Sequence, residues 1–145
     1  MKINLIWVGK TKEQFIRDGI DKYMRMLAPY ADIEITLVKE EKGSNSEMIV
    51  KRESERILGL KVPYVLMDER GEKMTSAKFA DGIAKTSRHN LLIGGAYGVS
   101  EEVKARASGA IALSGMTFTH EMARLFLVEQ LYRAFSIINR KGYHH

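Results

Sequence analysis

The sequence predicts an α/β fold: a mostly parallel sheet flanked by helices, in a single domain spanning 1–145. Three observations carry this. Short apolar runs alternate with amphipathic stretches of helical period along the whole chain. The last three apolar runs each lead into a turn that holds glycine, "DERG", "GGAYG" and "SGMT". The 145 residues are 45% hydrophobic and 28% charged, enough apolar material for one core, and no repeat or linker divides them.

The elements follow in order. "INLIWVG" (3–9) reads as a buried strand ending in Gly9. A helix is expected from Thr11 to Ala28. Thr11 and Gln14 have capping-box spacing, Ile16, Ile20, Tyr23 and Leu27 share a face, and Pro29 marks the end. "DIEITLV" (32–38) alternates as a half-buried strand does. The polar loop 40–46 leads to a helix capped by Ser44 and closed at Gly59. "YVLMD" (64–68) is the third strand, and "ERGEK" reads as a charged turn around Gly71. Thr75–Thr86 is a short helix and "LLI" (91–93) the fourth strand. Ser100–Ala107 is another helix, with Glu101 and Glu102 placed for its dipole. "AIAL" (110–113) is the fifth strand. The longest helix runs from Thr119 to Ile138. Its apolar residues, Met122, Leu125, Phe126, Leu127, Val128, Leu131, Tyr132, Phe135, Ile137 and Ile138, exceed one stripe. That excess points either to deep burial within its own domain or, as the favoured reading, to a subunit interface.

Composition narrows the function. There is no cysteine, which leaves no disulfide framework, thiolate metal site or cysteine nucleophile. No apolar run approaches the ~20 residues of a membrane span, and the N-terminus reads as a strand rather than a leader. The expected location is the cytoplasm. A net charge of +5 favours a polyanionic partner such as RNA.

In a parallel sheet the three glycine-bearing turns share one edge, at the carboxyl ends of the strands, where ligands bind. Glycine lets backbone groups approach a ligand closely; the same glycines also suit plain tight turns. A dinucleotide fingerprint would follow the first strand as G-x-G-x-x-G, and a P-loop would read G-x-x-x-x-G-K-[ST]; neither occurs. His89, His120, His144 and His145 show no H-E-x-x-H spacing, so no metal is expected, and no G-x-S-x-G elbow is present. On the last helix, His120 and Arg124 share a face, as do Glu129 and Arg133.

"LLIGGAYGVS", "ALSGMTFTHEMARLFLVEQLYRAFSI" and "KGYHH", with "INLIWVGK" and "VLMDERGEKMTS", closely resemble the ribosomal RNA large subunit methyltransferase H family, of the knotted SPOUT class. The resemblance covers nearly the whole chain. It implies a C-terminal trefoil knot, S-adenosylmethionine as cofactor, a homodimer, and methylation of N3 of a pseudouridine in 23S rRNA of the assembled ribosome. By position it places the cofactor site on Met67, Gly94, Leu113, Ser114, Gly115, Met116, Thr117 and Phe118. Met67 stands where the family usually has leucine, and Thr119 where proline is common, so threonine must cap the helix instead. His145 replaces a usual cation. Because N3 carries a proton, a base or an anion-stabilising group is useful. The candidates are His120, Tyr143 and His144, with Arg124 or Arg133 steadying negative charge or phosphate; Tyr143 and His144 are expected nearest the target base, since the tail after the last helix is free to reach a neighbouring subunit's pocket. The competing readings are a non-catalytic RNA- or ribosome-binding homologue and a nucleotide-dependent enzyme built on "GGAYG". Binding of S-adenosylmethionine separates the methyltransferase reading from a silent homologue, and NAD binding without it would favour the nucleotide-dependent enzyme.

Overall fold

The computed structural model describes residues 1–145. Strand β1 (Lys2–Val8) is apolar from Ile3 onward except at Asn4, and Leu5, Ile6, Trp7 and Val8 are all buried. A strand covered on both faces is what the centre of a parallel sheet requires. It lies between β2 (Asp32–Val38) and β4 (Arg88–Ile93). Beyond β4 come β3 (Val65–Lys73) and then β5 (Gly109–Ala112), so the order is β2-β1-β4-β3-β5 and every pair is parallel.

The two-residue period of β1 divides the core. Ile3, Leu5 and Trp7 face α1 (Gln14–Leu27), α3 (Ser76–Ala84) and α5 (His120–Ile138). Ile6 and Val8 face the other way, toward α2 (Ser46–Gly59) and α4 (Glu101–Arg106), through Ile57 and Val103. Helix α5 lies in the three-helix layer against α1 and α3. Most of its apolar surplus is therefore buried within its own chain: Leu127, Val128, Leu131, Ala134 and Phe135 are inaccessible. Phe126 and Ile138 remain exposed. No helix is long and apolar enough to cross a membrane.

Three local expectations need correction. Helix α1 starts at Gln14, and no side chain of its own segment caps it. Its cap comes from α5: Glu121 Oε1 accepts from the backbone N–H of Lys12 (3.0 Å) and Glu13 (2.9 Å), while Thr11 Oγ1 accepts from Arg124 instead. A buried carboxylate satisfies two free donors at a helix start better than one hydroxyl does. Helix α2 is capped by Asn45, not Ser44; its side chain accepts from the Met48 N–H at 3.1 Å. Third, "ERGEK" belongs to β3. Met67 and Glu72 both stand opposite Ile111, so residues 68–71 bulge out and the strand then resumes along β5.

Gly71 makes that return possible. A Cβ there would lie 2.6 Å from the Ala110 carbonyl carbon and 2.7 Å from Ile111 N, and backbone cannot yield as a side chain can. Gly71→Ala is expected to lower stability by about 2 kcal/mol through overpacking. Denaturant unfolding checks this; an unchanged midpoint would show that the bulge absorbs the methyl.

Candidate active site

The carboxyl ends of β3, β4 and β5 surround a cleft of about 610 Å³. Its floor is apolar, with Leu66, Met67, Ile93, Leu113 and Ala123. Its lip is the 68–71 bulge, with Asp68, Glu69 and Arg70. The turn 94–99 forms one wall, closed by a bond from Gly98 N–H to Gly95 O at 3.0 Å. Gly98 has φ +82°, which glycine adopts without strain. A Cβ on Gly94 would meet Val99 Cγ1 at 2.7 Å. The segment 113–118 forms the facing wall, where Thr117 Oγ1 donates to Glu69 and Met116 N–H donates to Ser114 Oγ at 3.0 Å.

Met67, Gly94, Leu113, Ser114, Met116, Thr117 and Phe118 all line this cleft. Gly115 does not; it faces Lys73, whose Nζ would lie 3.0 Å from a Cβ added there. His120, the first residue of α5, reaches the cleft and is half-buried. Thr119 caps the helix, accepting from the Met122 N–H at 3.2 Å.

The other candidates lie elsewhere. Arg124 is fully buried and does not face the cleft. Its Nη2 donates to Val8 O at 2.7 Å, its Nη1 to Thr11 Oγ1 at 2.9 Å, and the guanidinium lies 5.1 Å from the Trp7 ring centroid. Arg133, Tyr143 and His144 gather around Glu129. Arg133 holds Glu129 Oε1 through Nη2 (2.7 Å) and Nε (3.1 Å), and its Nη1 meets His144 Nδ1 at 3.1 Å. Tyr143 OH donates to Glu129 Oε1 at 3.2 Å, and its ring packs edge-on to Tyr132 at 4.8 Å. Along α5 the Arg133 backbone is thirteen residues, about 20 Å, beyond that of His120, and Glu129, around which the cluster gathers, is nine residues, about 14 Å, beyond it. His145 is exposed at the end of the chain.

A family model described as "Predicted SPOUT methyltransferase" matches residues 1–144. The chain is 47% identical to the ribosomal RNA large subunit methyltransferase H of Geobacter sulfurreducens and 45% identical to that of Geotalea daltonii. Both likenesses cover 100% of each chain. The chain belongs to the ribosomal RNA large subunit methyltransferase H family. Solved structures agree on the SPOUT fold, the trefoil-knotted class. A probable methylase family protein from Haemophilus influenzae superposes with TM-score 0.57 at 13% identity, covering 99% of this chain and 70% of that one. A putative methyltransferase from Legionella pneumophila, solved with bound SAM, gives 0.55 at 16% identity, over 92% and 66%.

Electrostatics separate the candidate bases of this family member. Burial, and then the Arg124 charge, pull the His120 imidazole below its ordinary range, so it is neutral near pH 7. Burial pushes the Tyr143 phenol well up, helped by its bonds to Tyr23 and Glu129 and by the Glu129 charge. Tyr143 therefore stays protonated and acts as a donor. The bond to Glu129 holds the Arg133 guanidinium above its ordinary value. Glu121 shows the opposite balance: burial alone would raise it, but the two backbone N–H bonds and Arg124 outweigh that and lower it.

The depressed His120 value has a consequence for stability. Where the unfolded chain already takes a proton, the folded imidazole resists it. The stability this residue contributes is whole above about pH 6.5 and is lost as pH falls through the folded value. Between about pH 7.5 and 5.5 the native chain should lose more stability than His120→Gln, measured by chemical denaturation. Equal losses would remove this role.

Sequence reasoning placed the "DERG" turn (68–71) at the ligand edge but gave Asp68, Glu69 and Arg70 no role of their own, because a charged stretch around glycine looks like any exposed turn. It also missed Glu121. A glutamate in the first turn of a helix signals only a dipole partner; nothing local shows that it caps another helix.

Proposed function

We propose that the chain is an S-adenosylmethionine-dependent methyltransferase. Its substrate is N3 of a pseudouridine in 23S rRNA, within the large subunit of assembled ribosomes in the cytoplasm. The observation that carries this is the end-to-end identity with the family, which falls on a chain whose cleft lies at the three strand ends.

The cleft suits such a cofactor. It has the size of a small-molecule site, with an apolar floor and few convergent polar groups. Met67, Ile93 and Leu113 offer an apolar slot for a purine, and the bare backbone at Gly94 leaves room for a close approach. Ser114 and Thr117 supply hydroxyls on the facing wall. When bound, the cofactor supplies an electrophilic methyl group on a sulfonium. The protein's part is to hold the two reactants in line and to keep water out. His120, neutral at the cleft, has a lone pair free to take the N3 proton. Tyr143 and Arg133 are donors suited to a developing anion or a phosphate.

Within one chain these donors gather on Glu129, about 14 Å of helix rise from His120, too far for them and His120 to touch one base together. A homodimer resolves this: the tail of one subunit completes the cleft of the other. Phe126 and the half-buried Phe118 beside it, with ring centroids 4.7 Å apart, supply apolar surface next to the cleft for such an interface. Ribosomal context and surface cations must supply the rest of substrate selection.

The test is mass mapping of 23S rRNA from ribosomes incubated with the protein and labelled cofactor. One added methyl on a pseudouridine is expected. RNA without label overturns the proposal.

A further inference from the structure

Helix α2 lies outside the cleft and lines no part of it. Yet two consecutive residues of α2 reach the turn that forms a cleft wall. Glu53 is only 4% exposed. Its Oε2 accepts from the Glu41 N–H at 2.9 Å, and its Oε1 has no hydrogen-bond partner although it is buried. That oxygen is packed against Gly95: a Cβ added to Gly95 would lie 2.7 Å from it. Ser54, also buried, accepts from the Ser100 N–H at 2.9 Å. Ser100 in turn caps α4 by accepting from the Val103 N–H. The stretch 95–100 is therefore held from behind at both ends by adjacent residues of one helix.

An unpartnered carboxylate oxygen in the interior is costly. Hydrophobic packing alone would place an apolar side chain behind Gly95, as Val8 is already placed; its Cγ1 would lie 3.3 Å from that Cβ. Burial pushes the Glu53 carboxyl above its ordinary range, and the nearby Glu40 and Glu41 charges add to this. The Glu41 N–H and Arg56 oppose it. The group is held in place despite this cost, with its free oxygen toward a residue that lines the cleft.

We infer that Glu53 is a positioning residue for the cofactor. Acting through Gly95, it sets how far the 94–98 turn stands into the cleft. This rests on the reading of the cleft as an S-adenosylmethionine site. The mechanism is contact. Oε1 stops the turn at the one distance glycine allows, and the Glu41 and Ser100 bonds fix the carboxylate and the far end of the turn.

Calorimetry with S-adenosylmethionine tests this through a double-mutant cycle. Gly95→Ala in the native background should weaken binding about tenfold, since its methyl is driven into Oε1. In the Glu53→Ala background the same change should cost less than about threefold, because the obstructing oxygen is gone and Val8 is the remaining close neighbour. Equal costs in both backgrounds overturn the inference. If Glu53→Ala does not fold, as judged by thermal melting, Glu53→Ser serves as the second background, since it also removes Oε1. A native protein that binds no S-adenosylmethionine would instead overturn the functional reading, before the cycle is begun.

Discussion

Arg124→Ala is expected to destabilise the protein by about 3–5 kcal/mol, the range seen when one partner of a buried charged network is removed. The side chain is fully buried, so nothing replaces what it does. Val8 O and Thr11 Oγ1 lose their donors, Trp7 loses the guanidinium that lies over it, and Glu121 keeps a buried charge without its cation. The melting temperature should fall by roughly 10 °C. Cofactor binding should weaken as well, because Arg124 ties the first turn of α5, and with it His120, to the end of β1. Arg124→Lys keeps the charge but not the fork, and should recover only part of the loss. Thermal melting of both variants decides. An alanine variant with native stability would mean that the α5–β1 junction does not depend on this residue.

The second large effect is on activity. Deleting Gly142–His145 should reduce methyl transfer by at least about a hundredfold while leaving S-adenosylmethionine binding nearly unchanged. Gly94→Leu should abolish that binding, since even a Cβ there meets Val99 at 2.7 Å and a longer side chain enters the cleft. In the proposed homodimer, each variant is then inactive for a different reason. Heterodimers of the two variants, purified through two different tags, should recover about half the native activity: the intact cleft of one subunit meets the intact tail of the other. Label transfer to ribosomes measures this. A tail that served its own cleft would leave the heterodimer inactive.

The sheet and its alternating helices were legible because burial imposes period on sequence. "INLIWVG" is nearly all apolar since β1 is covered on both faces, whereas the alternation of "DIEITLV" at the sheet edge is only partly buried, with Ile35 and Leu37 exposed. The glycine turns after β3, β4 and β5 were legible as a shared edge because a parallel sheet places all strand ends of one kind together. What could not be read were relations between distant segments. Thr11 looked like a helix cap but serves Arg124, and α1 is capped by Glu121, 108 residues after Glu13. Arg124 shares a face with His120 in the sequence and reads there as a candidate for steadying negative charge, yet a helix alone does not say which of its faces the core will take. Glu53 carried no signal at all, being one acid among several on α2.

The sequence by itself determined the fold class, the order of elements, the family and the turns that wall the cleft. All of these depend on local period or on contiguous motifs. Tertiary structure decided which charged groups are buried, that Gly115 turns toward Lys73, and that the tail folds back onto Glu129 and Arg133 of α5. The physical reason is that burial and distance are set by how separate elements pack, and no single stretch of chain encodes its own neighbours.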